Sequence, residues 1–65
     1  MEDDGFVDDE FIEETAREYL DRYGFDGLAV LRERVGIAAA SGDELLTQRW
    51  REILEAAERM MGLDR

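Results

Sequence analysis

The chain of 65 residues opens MEDDGFVDDEFIEE, a stretch in which eight of fourteen residues are Asp or Glu and none is basic. Carboxylates at this density can do three kinds of chemistry. They can ligate a hard cation, work as an acid–base pair, or present negative charge to a basic partner.

The first two uses are poorly served. A calcium loop of the EF-hand type needs alternating oxygen ligands, a Gly at its sixth position and a Glu at its twelfth, and Gly5 comes too early for that register. With no Cys and no His, thiolate and imidazole ligands are excluded. No metal and no cofactor is expected. Acid–base work by paired carboxylates needs a cavity that drives their pKa values apart, and a small helical domain rarely encloses one. The other reactive groups are few: one serine (Ser41), Thr15, Thr47, Tyr19, Tyr23 and eight arginines, with no lysine. No catalytic residue is assigned, and the chain is expected not to be an enzyme.

The third use fits the distribution of charge. The first sixteen residues hold eight acids and no base, a net of −8, while the other forty-nine hold ten acids and eight arginines, a net of −2. The excess is therefore localised. Acids set along a rod, with a few apolar residues among them, can occupy a groove built for phosphates by pairing with its Arg and Lys side chains. In such an interface the acids steer and the aromatics anchor. The expected binding set is Asp3, Asp4, Phe6, Asp8, Asp9, Glu10, Phe11, Glu13 and Glu14. Capping and solubility compete with that reading: acids at a helix start are favoured by its dipole, Val7 can staple to Ile12, and Phe11 can be core. Direct binding of DNA or RNA is disfavoured, since the net charge is −10, Arg32, Arg34 and Arg51 each adjoin an acid, and Arg49 has Glu52 three residues on.

Three helices must position these groups. Proline is absent, and glycines at 24, 42 and 62 divide the chain. Residues 1–7 read as an acidic arm and 8–65 as one small all-α domain, an antiparallel three-helix bundle with helices at about 9–23, 27–40 and 44–61. Asp8 is the expected N-cap of the first helix, with Ile12, Ala16, Tyr19 and Tyr23 as its inner stripe. Glu13–Arg17 and Glu18–Arg22 are spaced for ion pairs on its wet face. Gly24 supplies a left-handed end, letting Phe25 fold back on Leu20.

Asp26 is the expected cap of the second helix, whose stripe is Leu28, Leu31, Val35 and Ala38. Gly36 inside it either offers, with Ala39 and Ala40 nearby, a thin packing surface, or is a tolerated glycine or an early helix end. For the third helix, either Asp43 caps or Ser41 and Glu44 form a capping box. Its seam of Leu46, Trp50, Ile53, Ala57 and Met60 is the strongest periodic signal in the chain, and it makes Trp50 core rather than a base-stacking platform.

The spacing Ala16-x-x-Tyr19-x4-Gly24, then Ala29 and Arg32 to Arg34, then Gly42-Asp43-x6-Trp50-x-x-Ile53-x-x-Ala56 resembles a group of small helical proteins from alphaproteobacteria. The likeness spans about forty residues and is made mostly of packing and capping positions. It implies a fold and a source and no functional site, and the acidic opening lies outside it.

Composition and patterning together point to a non-catalytic acidic binding protein that docks on a basic surface of a partner protein. A nucleic-acid-binding protein is one such partner, occupied as phage-encoded inhibitors of restriction or CRISPR systems occupy theirs. The alternative is an accessory or self-assembling helical subunit whose acids serve solubility. Phe6, Phe11, Phe25, Val30, Ile37, Leu45, Leu54 and Met61 fall beside or outside the stripes, more apolar bulk than so small a domain hides, so a homodimer or a docked state is expected. No apolar run approaches the ~20 residues of a membrane span, and the opening is acidic where a signal peptide is basic. A cytoplasmic location is expected.

Overall fold

A computed structural model describes the chain from residue 8 to residue 62, with side chains from Glu10 onward. The protein is all-α, and no strand occurs among the described residues. Helix α1 (Asp8–Tyr23) passes through one turn of 3-10 helix (Gly24–Asp26) directly into α2 (Gly27–Ala40), and α3 (Glu44–Met60) follows a short turn. Residues 8–40 thus form one long helical arm with a bend, and α3 packs against both of its limbs, more extensively on α2 than on α1.

The bend has a local cause. Gly24 adopts φ +64°, a left-handed conformation that costs glycine almost nothing and stops α1 where the sequence places its end. Gly42 does the same after α2, at φ +82°. There the N–H groups of Ser41, Gly42 and Asp43 donate to the carbonyls of Ile37, Ala39 and Ala38, satisfying the last turn of α2. Asp43 then caps α3, its side chain accepting from the Leu46 N–H at 3.0 Å. Ser41 instead donates its hydroxyl to the Ala38 carbonyl at 2.8 Å, so of the two expected capping schemes the Asp43 one is formed.

The core is a single cluster of Ile12, Ala16, Leu28, Leu31, Ile53, Ala56 and Ala57, flanked by the half-buried Tyr19, Leu20, Trp50 and Leu54. Three of the seven are alanines, which lets the helices draw close but buries little apolar area per residue. Leu31 is the largest side chain that is fully buried. A core this small leaves stability marginal, as the chain length implies.

Several expected details differ. The Asp8 cap and the Val7–Ile12 staple of α1 both rest on groups outside those described. Asp26 does not cap α2: it sits in the 3-10 turn with helical φ and ψ, and its side chain makes no capping hydrogen bond. Phe25 does not fold back on Leu20 but stands 66% exposed, because the bend turns it outward. Tyr23, Leu46 and Met60 occupy stripe positions yet are exposed. Each lies in the first or last turn of its helix. Of the readings of Gly36 the tolerated glycine holds, since α2 runs on to Ala40 and a Cβ at Gly36 would meet nothing within 4 Å.

The close approach is made by Gly27, where a Cβ would lie 2.9 Å from the Tyr19 carbonyl oxygen. Neither Glu13–Arg17 nor Glu18–Arg22 closes. Among the described residues the one ion pair is Arg32–Glu58 at 3.5 Å, joining α2 to α3. Exposed pairs gain little against the side-chain entropy of holding two long chains in register, so the failure of the α1 pairs is unremarkable.

Candidate docking face

The described part of the acidic stretch is the first two turns of α1. Ile12 and Ala16 are buried there, at 5% and 0% exposure, and they fix the rotation of the helix. With that face turned inward, Glu10, Phe11, Glu13 and Glu14 are all exposed. Phe11 is 55% exposed, so it is not a core residue. An aromatic ring therefore stands in water among three carboxylates, on a helix whose own core contacts hold it in place. Of the other expected binding residues, Asp8 and Asp9 belong to α1 by backbone, and their side chains are not described. Asp3, Asp4 and Phe6 lie outside the described residues.

Farther along α1 the charge becomes mixed. Glu13 and Arg17 border a shallow depression with Ala56, Arg59 and Met60 of α3, which places the opening of α1 against the last turns of α3. At the other end of α1, a cleft of about 590 Å³ is lined by Glu18, Tyr19, Asp21, Arg22, Tyr23 and Arg34. Two carboxylates and two guanidinium groups balance there, so this cleft has no bias of sign toward a charged partner. The Arg34 guanidinium lies 5.9 Å from the Trp50 ring centroid, within cation–π range. That contact was not legible in sequence, where Arg34 reads as one more surface charge.

Among the described residues no group of three or more acids converges as a metal site would require. No described helix is long and apolar enough to cross a membrane. The exposed side chains of the first α1 turns present charge and one aromatic surface to solvent. Comparison of the chain with known protein families, with curated proteins and with solved structures finds no match to any of them.

Proposed function

We propose that this protein is a non-catalytic acidic binding protein that docks the opening of α1 on a basic surface of a partner protein, in the manner of a nucleic-acid mimic. The observation that carries the reading is the exposure of Phe11 among Glu10, Glu13 and Glu14 on a helix anchored by Ile12 and Ala16. Solubility alone calls for carboxylates but gives no reason to hold a phenyl ring in water beside them. A docking face calls for both, because exposed charge accelerates encounter while a buried aromatic slows escape. The partner class with the matching surface is a nucleic-acid-binding protein, whose groove is lined by Arg and Lys. An inhibitor of the phage-encoded kind is the role that fits this size and charge, exerted in the cytoplasm where such targets work.

The architecture proposed with it is a small three-helix bundle in which α3 runs antiparallel to both limbs of the bent arm. Tyr19 meets Trp50 while Glu13 and Arg17 meet Arg59 and Met60, and Arg34 meets Trp50 while Arg32 meets Glu58. The likeness to small alphaproteobacterial proteins is compatible with it at the level of fold, since Ala16, Ile53 and Ala56 of the shared spacing are core residues and Asp43 is a cap.

The test is capture from a cell extract with wild type and with a variant carrying Glu10→Gln, Glu13→Gln and Glu14→Gln. The proposal expects basic nucleic-acid-binding proteins to be retained by wild type, released by added duplex DNA, and lost with the variant. Retention of the same proteins by both baits would refute it.

A further inference from the structure

The two connections between helices are built differently. At the α2–α3 turn side chains lock the backbone: the Ser41 hydroxyl donates to the Ala38 carbonyl, the Thr47 hydroxyl donates to the Asp43 carbonyl, and the Asp43 carboxylate accepts from the Leu46 N–H. At the α1–α2 bend neither Tyr23 nor Asp26 makes a side-chain capping hydrogen bond, and Phe25 is exposed. The backbone there is already close to helical. Tyr23, Asp26 and Gly27 have right-handed φ and ψ, and Gly24 departs from them at φ +64°. Rotation centred on that residue separates the bent arm from a continuous helix over residues 8–40. A short stretch of 3-10 helix between α-helical segments often marks a hinge.

We propose that Gly24–Asp26 is a hinge through which α1 exchanges between two copies of the chain. The arm straightens, and α1 of each copy takes the place of its counterpart on the α2–α3 pair of the other. The structure itself supplies the interface, because the surface that receives α1 is the one α1 already covers. Ile12 and Ala16 enter the same cluster of Leu28, Leu31, Ile53, Ala56 and Ala57, and Tyr19 meets Trp50, but across copies. The core contacts are kept, so the balance between the two forms falls on the short hinge and on concentration. The closed form needs two glycines at that hinge. Gly24 supplies the left-handed φ, and a Cβ at Gly27 would lie 2.9 Å from the Tyr19 carbonyl oxygen. A straight helix needs neither and prefers alanine at both. The outward face of α1 is the same in both forms, so this inference does not rest on the docking reading.

A closed monomer holds its own α1 at an effective concentration in the millimolar range, so exchange competes only as the protein itself approaches that range. Wild type unfolded in urea and refolded at about 1 mM should therefore yield a dimer fraction separable by size exclusion. It should revert slowly on dilution, because reversion requires α1 to leave its site. The signature lies in the aromatic pair. In a dimer mixed from isotope-labelled and unlabelled chains, isotope-filtered NMR should show the Tyr19 ring of one chain against the Trp50 ring of the other. Gly24→Ala should raise the dimerisation constant about a hundredfold, roughly tenfold for each chain, because a left-handed φ is costly for alanine. Gly42→Ala meets the same cost at φ +82° in the locked turn, and should lower stability without producing the dimer. Wild type that refolds only as monomer at that concentration overturns the proposal. A dimer whose Tyr19–Trp50 contact stays within one chain overturns it too, as does a Gly24→Ala variant no more dimeric than Gly42→Ala.

Discussion

The ring of Tyr19 on α1 stands nearly perpendicular to that of Trp50 on α3, with centroids 6.0 Å apart and planes at 83°. This edge-to-face contact is the aromatic bridge between the bent arm and α3, and it continues through Tyr23, 5.9 Å from Tyr19. Trp50 is only half-buried, yet it joins α1 by that contact and α2 by the overlying Arg34 guanidinium. Trp50→Ala should therefore cost about 2–4 kcal/mol, a large share of the stability of so small a domain. A double-mutant cycle with Tyr19→Leu should return a coupling of about 0.5–1.5 kcal/mol. Urea unfolding followed by circular dichroism measures both. Additive single effects would show that the two rings merely sit near one another.

The two glycines of α2 make opposite predictions. Gly27→Ala would drive a methyl into the Tyr19 carbonyl oxygen at 2.9 Å. Backbone cannot swing aside as a side chain does, so this change should destabilise by about 1–3 kcal/mol despite the better helix propensity of alanine. Gly36→Ala meets open space and should stabilise by about 0.5–1 kcal/mol. Equal effects from the two substitutions would contradict the close packing of α1 on α2 at the bend.

Capping gives a second contrast. Asp43→Ala removes the acceptor for the Leu46 N–H and should cost about 1 kcal/mol. Asp26→Ala should be close to neutral, since Asp26 makes no capping hydrogen bond. Thermal or urea melts of the two single variants decide the matter, and a costly Asp26→Ala would mean that α2 begins differently.

These contrasts also mark what the sequence could and could not say. The ends of α1 and α2 were legible because a left-handed residue is needed at each and only glycine takes that conformation freely, as Gly24 and Gly42 do. Asp43 was legible because a cap needs only a short polar side chain at the right place. Asp26 looked the same, and its role failed because the chain continues through a 3-10 turn and leaves no free helix start to cap. The role of Gly27 was not legible, since it depends on the Tyr19 carbonyl across the bend, a relation with no signature in local pattern. Periodicity assigned Leu46, Met60 and Tyr23 to the inner stripes, and the structure leaves them exposed. Each lies in the first or last turn of its helix, where periodicity gives the angle but not the cover. The acidic stretch was legible as charge alone. That Phe11 belongs to the surface, and not to the core, required knowing that Ile12 and Ala16 set the rotation of α1.

Phe11 supplies a prediction of its own. As an exposed ring it should contribute little to folding, so Phe11→Ala should change stability by less than about 0.5 kcal/mol. Its contribution to binding should appear as faster dissociation, by roughly tenfold, with an unaltered salt dependence. A Phe11→Ala variant that unfolds readily would return the ring to the core and remove the anchor from the docking face.

The central claim is that the carboxylates opening α1 steer the protein to a basic partner. Its most direct measurement is the association kinetics of wild type and of the Glu10→Gln, Glu13→Gln, Glu14→Gln variant with a captured partner, across a series of salt concentrations. Exposed charges act over a Debye length that shrinks to about 8 Å at physiological salt. The account predicts that wild type associates faster at low salt and loses that advantage steeply as salt rises, while the variant associates more slowly with a flattened dependence. Identical rates and identical salt slopes for the two proteins would contradict it, and would leave those acids with no role in binding.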